Sequence, residues 1–105
     1  MPDRIGIFGG SFDPVHLGHL ILAQDAIQAL KLDLLVFVPA AINPHKLEAS
    51  PRASTDHRLE MLRLATANEP RFVVDPIEIH RKGPSYTVDT VESFRDQWPA
   101  AQLFF

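Results

Sequence analysis

Two rhythms of apolar and polar positions alternate along these 105 residues. Ile5 to Phe8 is a short, mostly apolar run that predicts a strand, whereas Leu20, Ala23, Ile27 and Leu30 recur at helical spacing between Leu17 and Leu30. Leu34 to Val38 contains no polar residue and stops at Pro39, which suits a strand buried on both faces of a parallel sheet. Ala40 to Ala53 is rich in Pro, Asn and Ser and reads as a loop. Ser54, Thr55 and Asp56 offer N-caps for a second helix with Leu59, Leu62 and Thr66 on one side. Arg71 to Val74 predicts a third strand, extended past Pro76 to Ile79. Gly83 and Pro84 break the chain; a third helix then runs from Tyr86 to Trp98 with Val88, Val91, Arg95 and Trp98 in register, and Pro99 ends it. Gln102 to Phe105 begins a fourth strand.

Repeated strand–helix–strand units imply right-handed crossovers and an α/β, doubly wound parallel sheet. In such sheets ligands sit beyond the carboxyl ends of the strands. Three segments fall on that rim: the residues after strand one, the loop after strand two, and the turn at Gly83 and Pro84.

The first of these carries the most chemistry. Gly9 and Gly10 follow the strand and precede a helix, so a turn there presents backbone N–H groups beside a helix N-terminus, an arrangement that cradles anions. Glycine lets a phosphate approach the backbone closely and permits φ > 0. His16 and His19 stand three apart, a spacing that puts both on one helical face, with Gly18 between them keeping that face open. Imidazoles there can donate hydrogen bonds to negative charge on a transferring phosphoryl group. Either motif alone has ordinary readings: a tight turn for the glycines, caps, buried polar groups or metal ligands for the histidines. Asp13 and Pro14 shape the turn before the helix.

Composition narrows the partners. The formal net charge of −3 supplies no global field for nucleic acid or an acidic membrane. Eight of the ten Lys and Arg residues nevertheless lie at or beyond Lys46, so local clusters (Lys46, Arg52, Arg58 and Arg63; Arg81 and Lys82) can steer a small anion. Without cysteine there is no disulfide, zinc-thiolate or thiol-nucleophile chemistry, as suits a cytoplasmic enzyme. No basic-plus-apolar leader precedes the first strand, and no apolar run approaches the ~20 residues that span a bilayer. A 105-residue chain makes one domain with a modest core.

Gly9-Gly10-Ser11-Phe12-Asp13-Pro14-Val15-His16-Leu17-Gly18-His19 resembles the G-[ST]-F-D-P-x-H-x-G-H signature of the Rossmann-like nucleotidyltransferase superfamily. That superfamily includes nicotinate- and nicotinamide-mononucleotide adenylyltransferases, pantetheine-phosphate adenylyltransferase and glycerol-phosphate cytidylyltransferases, and class I aminoacyl-tRNA synthetases carry a related His-x-Gly-His. Asn43-Pro44-His45-Lys46 is similar to the Pro-Pro-His-Lys of the nicotinate enzymes, with Asn43 where their first Pro stands. His57, Arg58, Met61 and Leu62 match their H-R-x-x-M-L helix opening, and Gly83-Pro84-Ser85-Tyr86-Thr87 matches their pyridine-pocket segment at all five positions. By their own chemistry Lys46 reads as a solvated lysine or a mobile phosphate contact, and Ser85 and Thr87 as helix caps or anion donors.

The resemblance implies adenylyl transfer from ATP to nicotinate mononucleotide, giving deamido-NAD and pyrophosphate. It assigns catalysis to His16, His19 and Lys46, and ATP binding to Ile7, Phe8, Gly9, Gly10, Ser11, Phe12, His16, Gly18 and His19. The acceptor would meet Ser11, His45, Lys46, Ser85, Tyr86 and Thr87. Mg²⁺ would be held mainly by ATP phosphates, with no dedicated metal ligands in the chain. Family members continue beyond the fourth strand into further ribose and phosphate motifs, so the chain, residues 1–105, resembles the N-terminal part of one such domain and is expected to expose a sheet edge open to homo-oligomer formation. Pantetheine-phosphate or nicotinamide-mononucleotide transfer, a non-catalytic nucleotide-binding fragment, and the front of a class I synthetase domain are the alternatives.

Overall fold

The computed structural model describes residues 3–12, 15–40, 55–80 and 87–105. Eight elements follow one another: β1 (Arg4–Gly10), α1 (Leu17–Leu30), β2 (Leu34–Pro39), α2 (Thr55–Thr66), β3 (Phe72–Val74), α3 (Ile77–His80), α4 (Thr87–Gln97) and β4 (Gln102–Phe104). The four strands form one sheet in the order β3-β2-β1-β4, and every pairing is parallel. The expected doubly wound α/β sheet is therefore present.

The order explains the two layers. From β1 through β2 to β3 the chain steps one way across the sheet, and α1 and α2 cover the face carrying Phe12, Leu35, Phe37 and Phe72. It then crosses back to β4, and α3 and α4 cover the opposite face, where Phe94, Val91 and Trp98 pack on Ile5, Ile7, Val36 and Val38. Right-handed crossovers taken in opposite directions place helices on opposite faces in this way. β2 is buried nearly throughout because both layers close over it, as its unbroken apolar run predicts. Gly6 allows that closure on β1, since a Cβ there would come within 2.6 Å of Leu32 Cδ1.

Three local expectations are corrected. The third strand ends at Val74 and does not run to Ile79; Asp75 N–H still bonds the Phe37 carbonyl, but its side chain then accepts from Ile77 N–H at 3.0 Å and starts α3. Pro76 has no N–H with which to continue a ladder. In α4 the inward face centres on Thr90 and Phe94, not on Val88 and Arg95, both of which are exposed. Thr90 Oγ1 donates to Glu78 at 2.8 Å and Arg95 Nη1 donates to the Ala101 carbonyl at 2.8 Å, so α4 is anchored at polar points that apolar periodicity does not show. In the first strand the paired glycines belong to the ladder, Gly9 opposite Val38 and Gly10 opposite Pro39.

At the amino ends of the strands, Asp33 accepts backbone N–H bonds from Asp3 and Arg4, both at 2.9 Å. The Arg4 guanidinium bonds the Leu30 carbonyl and Gln102 and lies 4.7 Å over the Phe104 ring. Beside β4 a cavity of about 300 Å³ opens among Leu22, Ala26, Leu30, Leu35, Phe104 and Phe105. Leu22 and Phe105 are exposed at its mouth. No helix among the described residues is long and apolar enough to cross a membrane.

Candidate active site

β1 and β2 end side by side, tied by the Ala40 N–H to the Gly10 carbonyl at 2.8 Å. The chain leaves β1 through Ser11 and Phe12. Phe12, and neither glycine of the pair, takes the positive φ, at 46°. A left-handed L-residue costs about 1–2 kcal/mol. What holds it there is burial: the Phe12 ring is 2% exposed, with the rings of Phe8, Phe37 and His19 at 5.3, 5.6 and 5.0 Å. A Cβ on Gly9 would meet nothing nearer than the Val38 carbonyl oxygen at 4.0 Å, so the bare backbone there faces open space that a ligand can fill.

The histidines build the start of α1. His16 is its N-cap: Nδ1 accepts from Gly18 N–H at 3.0 Å, while His19 Nδ1 accepts from His16 N–H at 3.0 Å. This is a capping box made by two imidazoles in place of the usual hydroxyl and carboxamide. The two rings stack with centroids 3.8 Å apart and planes 27° from parallel. Because each Nδ1 is an acceptor, a neutral ring carries its proton on Nε2, and Nε2–H is the donor that the cap does not use on either ring. Burial, and then the neighbouring His16, hold His19 below the ordinary imidazole pKa of 6.5, which favours that neutral form. Gly18 has a different role from the one its small size suggests. A Cβ there would lie 2.8 Å from His16 Cε1 and 3.0 Å from Nδ1, so the space it leaves is occupied by the capping ring.

Sequence reading placed Arg58 in a cluster that steers anions; the structure corrects this. Arg58 is 3% exposed, and its Nη1 donates to the Ser11 carbonyl at 2.6 Å and the Ala40 carbonyl at 2.9 Å. An arginine one position before the apolar stripe of an amphipathic helix looks like any solvated side chain, so nothing local signals its burial. Arg63 is exposed in the last turn of α2.

Of the other expected site residues, Ser11 is exposed at the turn, and Phe8 is half-buried with its ring 6.0 Å from that of His19. The side chains of Ile7 and Phe12 are committed to the two cores, so only their backbones can meet a ligand. Thr87 is exposed and opens α4, whose parallel crossover brings its N-terminus to the same rim from the opposite face of the sheet. His45, Lys46, Ser85 and Tyr86 lie outside the described residues, as do Asp13, Pro14, Asn43 and the basic residues Arg52, Arg81 and Lys82. Among the described residues no group of three or more His, Cys, Asp or Glu side chains gathers where a metal ion could be held.

Comparison with known proteins gives this geometry a context. The cytidylyltransferase-like family profile matches residues 7–103. The chain is 52% identical over 102 residues to a probable nicotinate-nucleotide adenylyltransferase of Thermus thermophilus, covering 97% of this chain and 53% of that protein. It is 45% identical, with the same shares covered, to the nicotinate-nucleotide adenylyltransferase of Bacillus subtilis. The chain thus spans about half the length of the curated relatives it matches. In fold it is similar to the nicotinic acid mononucleotide adenylyltransferase of Plasmodium falciparum, solved in complex with NaAD, with a TM-score of 0.79 at 19% identity over 96% of this chain and 49% of that one.

Proposed function

The chain belongs to the cytidylyltransferase-like family, and from that premise we propose that it carries the ATP side of a nicotinate-nucleotide adenylyltransferase. The reading rests on the histidine pair, two stacked rings whose Nδ1 atoms are engaged by the cap and whose Nε2–H donors remain for a ligand, one turn after the open backbone of Gly9. Relatives bearing the nicotinate-nucleotide name at 45–52% identity support the choice of acceptor.

In this reaction an oxygen of the mononucleotide 5′-phosphate attacks the ATP α-phosphorus in line. The new P–O bond forms as the bond to the β-phosphate oxygen breaks, and pyrophosphate leaves. The protein's part is positioning and charge stabilisation. Gly9, Gly10 and Ser11 seat phosphates, and His16 and His19 donate to the charge that develops on the transferring and leaving groups. Phe8 supports the His19 ring from the side. By the motif resemblance, Lys46 would contact phosphate, and His45, Ser85, Tyr86 and Thr87 would meet the acceptor. A divalent cation, Mg²⁺ in our reading, would be held mainly by ATP oxygens and water and would offset phosphate charge. The partners are two small phosphorylated molecules, in keeping with a net charge of −3, and the cysteine-free chain suits a reducing cytoplasm.

The test is pyrophosphate release by the whole protein with ATP and, in parallel, nicotinate mononucleotide, nicotinamide mononucleotide or phosphopantetheine as acceptor. Fastest release with the nicotinate form is expected; preference for either of the others overturns the acceptor assignment. Because the chain spans about half the length of its relatives, a second reading is a module that binds nucleotide without turnover. Calorimetric binding of MgATP with no pyrophosphate released for any acceptor would favour it.

A further inference from the structure

Among the described residues, Arg58 is a partner shared by the chain leaving β1 and the chain leaving β2. Its Nη1 donates at once to Ser11, in the turn after β1, and to Ala40, the last described residue before the segment that holds His45 and Lys46. The side chain enters from α2 and is buried against both. A guanidinium makes a planar fork of donors and has no acceptor, so it can bond two carbonyl oxygens at once. Two neutral carbonyls are otherwise poor at holding separate loops together, because both are acceptors and need a common donor between them.

We propose that Arg58 is a positioning residue: by bonding the Ser11 and Ala40 carbonyls it fixes the phosphate-facing turn after β1 relative to the carboxyl end of β2. The proposal deepens the ATP reading and rests on it for its effect on ligand. Its immediate target is the end of the β1–β2 ladder, where Ala40 N–H bonds the Gly10 carbonyl. Loss of the clamp releases this terminal bond first, whereas Val36, two residue pairs inside Val38 on the buried strand, stays held by both layers.

Amide hydrogen exchange and MgATP titration of the chain with Arg58, Arg58→Lys and Arg58→Met test this. Arg58→Met is expected to speed exchange at Ala40 while leaving Val36 as before, and to weaken MgATP binding by roughly tenfold to a hundredfold, the scale of a site displaced by about 1 Å. Since one nitrogen makes both bonds, Arg58→Lys should recover part of each effect, and it keeps the test usable if the methionine variant does not fold. Equal acceleration across β2 and α2, with MgATP bound as tightly by the folded protein, overturns the proposal and leaves Arg58 an anchor of α2 alone. If the unaltered chain binds no MgATP, the ATP reading fails by itself, and the selectivity of exchange at Ala40 still decides whether Arg58 joins the turn after β1 to the end of β2.

Discussion

Gly18→Ala separates what glycine does for the site from what it does for the helix. The added Cβ would sit 2.8 Å from His16 Cε1, and ordinary contact begins at 3.4 Å, so the ring must retreat by the difference, about 0.6 Å. The Gly18 N–H to Nδ1 bond, now 3.0 Å, then stretches to about 3.6 Å and is lost as a hydrogen bond. Removing an N-cap costs about 1 kcal/mol, while alanine in place of a helical glycine recovers up to about 1 kcal/mol. These nearly cancel. Urea unfolding should therefore show stability within about 1 kcal/mol of the parent, whereas ring ¹⁵N spectra should show His16 Nδ1 released from its acceptor role. Turnover in the whole protein should fall on the order of 10²-fold, as expected when donors leave their productive geometry. If His16 Nδ1 keeps its bonded signature and MgATP binds as before, the reasoning about Gly18 and the capping ring is wrong.

Three more outcomes follow from named contacts. Gly6→Ala drives a Cβ to 2.6 Å from the buried Leu32 side chain and should destabilise by about 1–3 kcal/mol in denaturant unfolding, the usual cost of overpacking; no loss would mean that Leu32 yields freely. His19 should titrate below 6.5 by NMR, burial being the first cause and His16 the second, so His16→Asn should raise the midpoint without restoring it fully. Since the folded pKa is depressed, the unfolded state takes the proton first: the stability tied to neutral His19 is present above pH 6.5 and is lost as pH falls through the folded value. The N–H groups of Asp3 and Arg4 hold the Asp33 carboxyl below its ordinary 3.8, so its contribution is present above pH 3.8 and disappears on further acidification. Asp33→Asn should flatten that acid limb in a pH series of melts, and an unchanged limb would remove Asp33 from the account.

The parts of the fold that apolar rhythm controls were legible. β2 announces itself because both layers bury it, and α1 because Ala23 and Ile27 face one core. Rhythm fails where polar contacts decide. Asp75 caps α3 through the N–H of Ile77, a polar contact that apolar spacing does not register, while Thr90 reaching Glu78 and Arg58 spanning two carbonyls are specified by partners distant in sequence. At the site, spacing places His16 and His19 near one another, but their stacking and reciprocal capping depend on ring orientation, which spacing does not encode. The left-handed residue of the turn is likewise Phe12, where a reader looks to glycine; its cost is met by an aromatic cluster assembled from β1, β2 and α1.

The central claim is that the turn after β1 and the two Nε2–H donors form one phosphate site. A ¹⁵N NMR titration of the chain with MgATP examines it residue by residue. The account predicts concerted shifts at the Gly9, Gly10 and Ser11 amides and at Nε2 of both His16 and His19, with Nδ1 of each ring unchanged. Saturable binding that moves amides elsewhere, or that shifts Nδ1 and leaves Nε2 untouched, would contradict it.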